Sequence, residues 1–374
     1  MIVGIHDAQA GGGNRPGDRD DVRFWHRETP AGRAPKSAGV VGQSYRSSRR
    51  TGAAGRHAVV ASTAMAAPHV RPIQIPDGYT VWAASDVHGQ LHAVDRLLRT
   101  AGLTDGGDRW TAPAGTALVI TGDVVDRGPD TVGLVRRLAS LRAQAEPAGG
   151  LVAILEGNHE AQVLGGLGGE PEIFRALMTF GGGATLLSVG LRPDEWQGRT
   201  SAEIAARVEA LAPDLLPTLW SFAPYARWRD VLFVHGGPVP FQELDRFERS
   251  ADRLWIRRAF YGSTEPFPDA DAWAPYRRAG IGRVVFGHSP VERPTLSHDG
   301  RALNIDTWRG HHVTLARLEP GHELGEATFL IEPAEPRAIT DAPVTAEEIL
   351  RFDAELPAHV DAFTASRWSA VGDR

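Results

Sequence analysis

Residues Ala117-Leu118-Val119-Ile120-Thr121-Gly122-Asp123-Val124-Val125-Asp126-Arg127-Gly128 pass without a break from an apolar run into charged and small residues. A run this short, rich in Val and Ile, reads as a buried strand from Ala117 to Thr121. Asp123 then falls at the strand tip, where a carboxylate can bridge two cations. Asp126 and Arg127 follow one turn later. Taken alone, the segment fits a β-turn with a surface ion pair equally well.

The same grammar recurs along the chain. Thr80 to Ala84 leads into Asp86-Val87-His88-Gly89, and Val152 to Leu155 into Gly157-Asn158-His159-Glu160. Val231 to Val234 leads into His235-Gly236-Gly237, and Arg283 to Phe286 into Gly287-His288-Ser289-Pro290. Residues two apart in an extended segment point to one side, so Asp86 and His88 can hold one metal together. On the third loop Asn158 offers a neutral carbonyl oxygen and His159 a proton. A lone histidine at a strand end is more often a hydrogen-bonded turn residue than a ligand. Two of them, His235 and His288, each beside a glycine that lets a ligand approach, shift that balance. Asp86, His88, Asp123, Asn158, His235 and His288 together make an oxygen and imidazole ligand set without sulfur, suited to Mn, Fe or Zn in a hydrolytic site. Two such metals ~3.5–4 Å apart, sharing a carboxylate, can clamp both oxygens of an in-line displacement.

Helical patterns lie between several of these strands: Leu91, Val94 and Leu98 mark one, and Leu134, Val135, Leu138 and Leu141 another. The alternation predicts an α/β fold with catalytic loops at strand ends. Residues 165–225 read as a mostly helical insertion. One helix spans Pro171 to Phe180 and is stopped by Gly181-Gly182-Gly183. A second opens with a capping box of Thr200 and Glu203. Thr345 and Glu348 repeat that signature before a last short helix.

The bulk properties bound the remainder. The chain has 374 residues, a net charge of −6 and no cysteine, which excludes disulfides, thiolate metal sites and a thiol nucleophile. The absence of thiols fits a cytoplasmic location. No apolar run is long enough for a spanning helix, so no membrane partner is expected, and the charge total carries no nucleic-acid footprint. The first 64 residues differ, with net charge +5, Gly11-Gly12-Gly13 and no apolar period. They read as a disordered extension. Alternatives are a weak twin-arginine export signal at Arg49-Arg50, and a misassigned start with Met65 as initiator; the last is preferred because the first recognisable strand follows Met65. The expected organisation is therefore an extension over 1–70, a catalytic domain over 78–335 containing the 165–225 insertion, and a C-terminal extension over 336–374.

The ordered series DVHG, GDVVDRG, GNHE, VHGG and FGHS resembles the calcineurin-like metallophosphoesterases, and GDxxDRG with GNHE resembles their phosphoprotein-phosphatase branch, of bacterial or phage type. The resemblance spans about Thr80 to Leu318. It implies a four-layer αββα sandwich and two divalent metals, Mn foremost, with Fe or Zn as alternatives. Asp86, His88 and Asp123 would hold one metal; Asp123, Asn158, His235 and His288 the other. A hydroxide between them would attack phosphorus in line, with His159 as general acid oriented by Asp126. Arg127 and Asn158 would contact the phosphate. Leu254-Trp255-Ile256-Arg257 is similar to a Trp-x-Arg segment of phage-type members, which makes Arg257 the second phosphate arginine, with Arg258 the alternative. Phe180 to Thr185 is similar to a Gly-Gly segment of phage-type and dinucleotide-cleaving relatives. The chain departs from the family at Glu156, where arginine is common and a negative charge would weaken phosphate binding; at Pro290, in place of a second histidine; and at Trp308 after Ile305-Asp306-Thr307, where glycine is common and an indole would wall the pocket. The substrates so implied are a phosphoserine or phosphothreonine protein or, alternatively, a dinucleoside polyphosphate such as diadenosine tetraphosphate. A non-catalytic scaffold would show gaps among the ligands, and the sequence has none.

Overall fold

Successive side chains of a strand point to opposite faces, so a strand apolar at every position needs cover on both sides. The five motif-bearing strands are of this kind, and the computed structural model covers both faces of each. It describes residues 2–4, 70–257, 272–336 and 346–369. The strands are β1 (Ile2–Gly4), β2 (Ile73–Ile75), β3 (Thr80–Ala84), β4 (Thr116–Ile120), β5 (Leu151–Ile154), β6 (Ala226–Trp228), β7 (Val231–Phe233), β8 (Arg283–Phe286), β9 (Thr295–Leu296), β10 (Ala302–Asn304), β11 (His312–Leu318) and β12 (Thr328–Pro333). One sheet runs β1-β12-β11-β3-β4-β5 and the other β2-β6-β7-β8-β10-β9. The longer helices are α1 (Leu91–Thr100), α2 (Thr131–Ala145), α3 (Asn158–Leu167), α4 (Pro171–Thr179), α5 (Gly182–Val189), α6 (Ser201–Leu211) and α7 (Ala346–Ser369).

The alternation assigns the layers. Val81, Ala83, Ala117, Val119 and Ala153 of the first sheet meet Trp228, Val231, Phe233, Val285 and Leu303 of the second in one core. The other faces of the same strands turn outward. Ala84, Leu118, Ile120 and Ile154 pack under Val94, Leu98, Leu134 and Leu138 of α1 and α2. On the far side Leu232, Val284 and Phe286 pack under Phe247, Trp273 and Tyr276. The result is the expected αββα order, with each fully buried Leu, Val or Phe contributing roughly 1.5–3 kcal/mol.

Strands β3, β4 and β5 are parallel, as are β7, β8 and β10, so within each sheet the motif loops leave from one edge. The edges are laced together: the Gly287 amide donates to the His235 carbonyl at 2.8 Å, and His235 Nδ1 lies 3.0 Å from the Thr121 carbonyl.

Several local expectations change. Gly181 does end α4, in the left-handed region at φ 109°, but Gly182 and Gly183 open α5 rather than extend a stop. The Thr200–Glu203 capping box is formed, with the Thr200 amide 2.9 Å from Glu203 Oε2. The last helix is not short: α7 has 24 residues and continues through Pro357. Phe352, Leu356, Val360 and Phe363 form a buried stripe at helical spacing that holds it against the outer core. Its expected cap, Thr345, lies outside the described residues. Ile2–Gly4, within the segment read as disordered, pairs antiparallel with β12, because three residues of extended backbone suffice to satisfy an open sheet edge. The rest of that segment, Arg49-Arg50 included, lies outside the described residues. Among the described residues no helix is long and apolar enough to cross a membrane.

Candidate metal and phosphate site

The loops after β3 and β4 hold each other by backbone bonds. The Asp86 amide donates to the Gly122 carbonyl (3.2 Å), His88 to Asp123 (2.8 Å) and Gly89 to Val124 (2.7 Å). This lacing places Asp86 (φ 50°), His88 (φ 34°), Asp123 (φ 52°), Asp126 (φ 70°) and Arg127 (φ 63°) in the left-handed region, and His288 (φ 65°) joins them from the second sheet. Asp86 and His88 therefore do not share a side through extended backbone, as their spacing suggests; the loop that carries them is curled. Each such residue costs on the order of 1–3 kcal/mol and persists only where its surroundings impose it.

One imposing group is Glu160. The Gly-Asn-His-Glu segment is not a free loop: Asn158, His159 and Glu160 form the first turn of α3. Glu160 reaches back so that Oε2 accepts from the amides of Asp123 (2.9 Å) and Gly157 (2.7 Å), and Oε1 from Val124 (2.7 Å) and Val125 (3.1 Å). Burial pushes this carboxyl up to about 7 while the four amides pull it down. Gly157 is required at the crossing, because a Cβ there would overlap the backbone nitrogen and Oδ1 of Asp123.

Two groups of buried side chains present ligand atoms within 4.8 Å of one another: His88, Asp123 and His159, and Asp123, His235 and His288. Asn158 Oδ1 lies 2.9 Å from both His235 Nε2 and His288 Nδ1. Asp86 stands outside both groups; its Oδ2 accepts from Ser85 Oγ and from the His288 amide (3.0 Å). The donor set fits cations. Burial lowers His235 to about 4, so its ring is neutral, and its Nδ1–H is committed to the Thr121 carbonyl. Its Nε2 lies 3.3 Å from Asp123 Oδ1, so an imidazole nitrogen and a carboxylate oxygen converge on one point. His88 Nδ1 lies 2.8 Å from the Val125 carbonyl, and its Nε2 lies 3.7 Å from Asp123 Oδ2. Burial, then the negative charges of Asp86 and Glu160, drives Asp123 well above the usual carboxylate range. A divalent cation between these groups would favour the ionised carboxylate and accept the imidazole lone pairs.

His159 is held through both ring nitrogens, by Asp126 on the inner side and Arg127 on the side of the site. Its Nδ1 lies 2.7 Å from Asp126 Oδ2, whose other oxygen accepts from Thr185 Oγ1 at 2.5 Å, while that hydroxyl accepts from the Asp126 amide at 3.0 Å. Its Nε2 faces the site, 3.8 Å from Asp123 Oδ2. Arg127 spans the opening, Nη1 2.6 Å from His88 Nε2 and Nη2 2.9 Å from His159 Nε2. Burial first, then Arg127, lowers His159 well below its usual range. The Gly-rich segment after α4 seats these residues. The Gly181 carbonyl accepts from the Arg127 amide at 3.2 Å, and a Cβ on Gly181 would come within 2.8 Å of Arg127 Cγ.

Arg257 joins the site from the second sheet: Nη1 donates to the His288 carbonyl and Nε to Asp353 Oδ2 at 2.8 Å. Arg258 lies outside the described residues. Glu156 does not act as the sequence suggests. Its carboxylate is taken by the buried Arg253, which also donates to the Ser250 carbonyl at 2.6 Å, so the charge is compensated within the fold. Trp308 packs edge-on to the His88 ring at 5.1 Å and walls that side. Asp306 is buried and driven well upward, by burial and then by Asp86, and its Oδ2 has no hydrogen-bond partner among the described residues. Sequence reading had assigned no role to Glu160, Thr185, Asp306 or Asp353. Glu160 carries a usable signal, a glutamate three residues past a helix-opening glycine. Thr185 sits in the Gly-rich segment, and Asp353 carries no signal at all.

The family described as calcineurin-like phosphoesterase matches residues 79–311. Over 78 residues, 21% of the chain, it is 41% identical to Shewanella-like protein phosphatase 2 of Arabidopsis thaliana, and so spans only 20% of that protein's length. It is 26% identical over 246 residues to the asymmetrical bis(5'-nucleosyl)-tetraphosphatase PrpE of Bacillus velezensis, covering 64% of this chain and 88% of that one. Against serine/threonine-protein phosphatase 1 of Salmonella typhimurium it is 25% identical over 240 residues, 64% of this chain and 92% of that one.

Proposed function

Because this chain belongs to the calcineurin-like phosphoesterases, hydrolases of phosphoester bonds, we propose that it is a phosphomonoesterase of serine/threonine protein phosphatase type. The observation that carries the reading is the buried His159–Asp126 pair at 2.7 Å, braced by Thr185. Cleaving a phosphoserine or phosphothreonine expels an alkoxide, which needs a proton as the bond breaks. A positioned donor contributes typically ~10²–10⁴ in rate. A dinucleoside polyphosphate expels a phosphate, which needs that proton far less.

In this reading Asp86, His88 and Asp123 hold one divalent cation and Asp123, Asn158, His235 and His288 a second, with Mn preferred over Fe or Zn. Once bound, the cations supply the Lewis acidity that makes water nucleophilic at neutral pH and offsets charge on the phosphoryl oxygens. An arriving phosphate offers Arg127 charged acceptors in place of two ring nitrogens, and Arg257 grips from the other side. Moving Arg127 off His159 Nε2 frees that atom for the leaving oxygen, while Asp126 keeps the proton of Nδ1 in place.

The test compares kcat/KM for a phosphothreonine peptide and for diadenosine tetraphosphate on one Mn-loaded preparation, with Asp123→Asn as the blank. A large preference for the peptide is expected. A large preference for the dinucleotide, the substrate class in the name of the Bacillus relative, would overturn the reading and leave the family assignment standing.

A further inference from the structure

Helix α7 belongs to none of the motifs, yet two consecutive residues on it bear on both arginines of the site. Asp353 Oδ2 accepts from Arg257 Nε at 2.8 Å, and both side chains are partly buried. The preceding residue, Phe352, is buried and meets Phe180 edge-to-face at 5.2 Å. Phe180 adjoins Gly181, the seat of Arg127. The helix is fixed along its length as well, since Asp361 Oδ1 accepts from the Ala251 amide at 2.7 Å, six residues before Arg257.

The bonding pattern on Arg257 is selective. Asp353 takes Nε and the His288 carbonyl takes Nη1, which leaves Nη2 without a partner among the described residues. The Nη1 bond to the backbone carbonyl of His288, whose ring belongs to the site, sets the guanidinium at the edge of that site. An arginine side chain loses up to ~2 kcal/mol of rotamer entropy when ordered. A carboxylate on the inner nitrogen takes that loss in the resting protein and leaves the outer nitrogen for a ligand.

We infer that Asp353 is a positioning residue that holds Arg257 with Nη2 toward the phosphoryl group, which makes the C-terminal helix part of the substrate grip. This rests on Arg257 being a phosphate-binding arginine, as proposed above. A carboxylate that competed with phosphate would instead bond Nη2 itself, whereas Asp353 bonds Nε.

The experiment uses the full-length metal-loaded protein and the variants Asp353→Ala, Asp353→Asn, Asp353→Glu, Arg257→Ala and Arg257→Ala/Asp353→Ala. It measures kcat and KM on a phosphothreonine peptide and the inhibition constant of inorganic phosphate. Asp353→Ala should raise KM and the phosphate constant together by ~10-fold, the low end for losing a group that orients a ligand-binding side chain, and leave kcat largely intact. Asp353→Glu should recover part of the loss, and the double variant should bind phosphate no worse than Arg257→Ala. Should Asp353→Ala fold poorly, Asp353→Asn keeps an acceptor for Nε and carries the comparison. A fall in KM would mean that Asp353 competes with substrate, and a fall in kcat and melting temperature at constant KM would mean a purely structural bond; either overturns the inference. Weakened phosphate binding in Arg257→Ala with none in Asp353→Ala removes the inference alone. Unchanged phosphate binding in Arg257→Ala removes the assignment of Arg257 beneath it.

Discussion

Replacing Glu160 by glutamine preserves size and shape but turns one carboxylate oxygen into an NH2 group. Each oxygen of Glu160 accepts from two backbone amides: Val124 and Val125 on Oε1, Asp123 and Gly157 on Oε2. Whichever way the new amide turns, two buried N–H groups face a donor. Each unmet group costs ~1–3 kcal/mol, so the substitution should cost ~2–6 kcal/mol. In a chain of this size ~1 kcal/mol moves the melting temperature by ~2 °C, which predicts a fall of ~4–12 °C. The orphaned amides flank Asp123 and the start of α3, so Mn affinity should fall too. Calorimetric unfolding of metal-free protein and Mn titration measure the two effects. Lost affinity at an unchanged melting temperature would mean that the loop opens locally, which the argument allows. An unchanged Mn affinity would refute it, because Asp123 would then keep its place without the clamp.

Thr185→Val removes the hydroxyl that bonds both Asp126 Oδ1 and the Asp126 amide without changing the shape of the site. A hydrogen bond to a charged group is worth ~1.5–3 kcal/mol, so kcat should drop ~10–100-fold on an alkyl phosphate and less on 4-nitrophenyl phosphate; equal losses on both would detach Thr185 from proton transfer. His159→Asn should retain its bound metal and lose ~10²–10⁴ in rate on an alkyl phosphate. Full activity there would end the general-acid assignment, and loss of metal would make His159 a ligand in the group with His88 and Asp123.

The αββα order and the motif loops at the strand ends were legible because they rest on local signals. Each strand of β3, β4, β5, β7 and β8 is a short apolar run, and each ends in residue types that packing does not explain. What was illegible depended on distant partners. Glu156 looks like a charge facing phosphate until Arg253, 97 residues away, is seen to take it. Asp353 is one more acidic residue on a polar helix face until the fold sets it on Arg257. The length of α7 was hidden by Pro357, since a proline within a helical pattern ordinarily ends it, and here the buried stripe from Phe352 to Phe363 outweighs the lost bond. The pairing of Asp86 with His88 was read from a period of two, which assumes an extended backbone that the lacing to Gly122 and Asp123 forbids.

That lacing also explains why the site lies where the sheets end. Six of the residues assigned to the site adopt positive φ, and none is glycine. A surface loop would relax out of such conformations. Here the relaxation is blocked from three directions: by backbone bonds between the two loops, by the four amides on Glu160, and by the Gly181 carbonyl on Arg127. Those restraints are rigid only because β3, β4 and β5 are covered on both faces and cannot shift. The strained loops at His88, Asp123 and His288 hold imidazole and carboxylate ligand atoms close together. A fold that fixes those atoms has already met much of the ordering cost of metal binding, so a cation arriving there meets ligands that need little rearrangement.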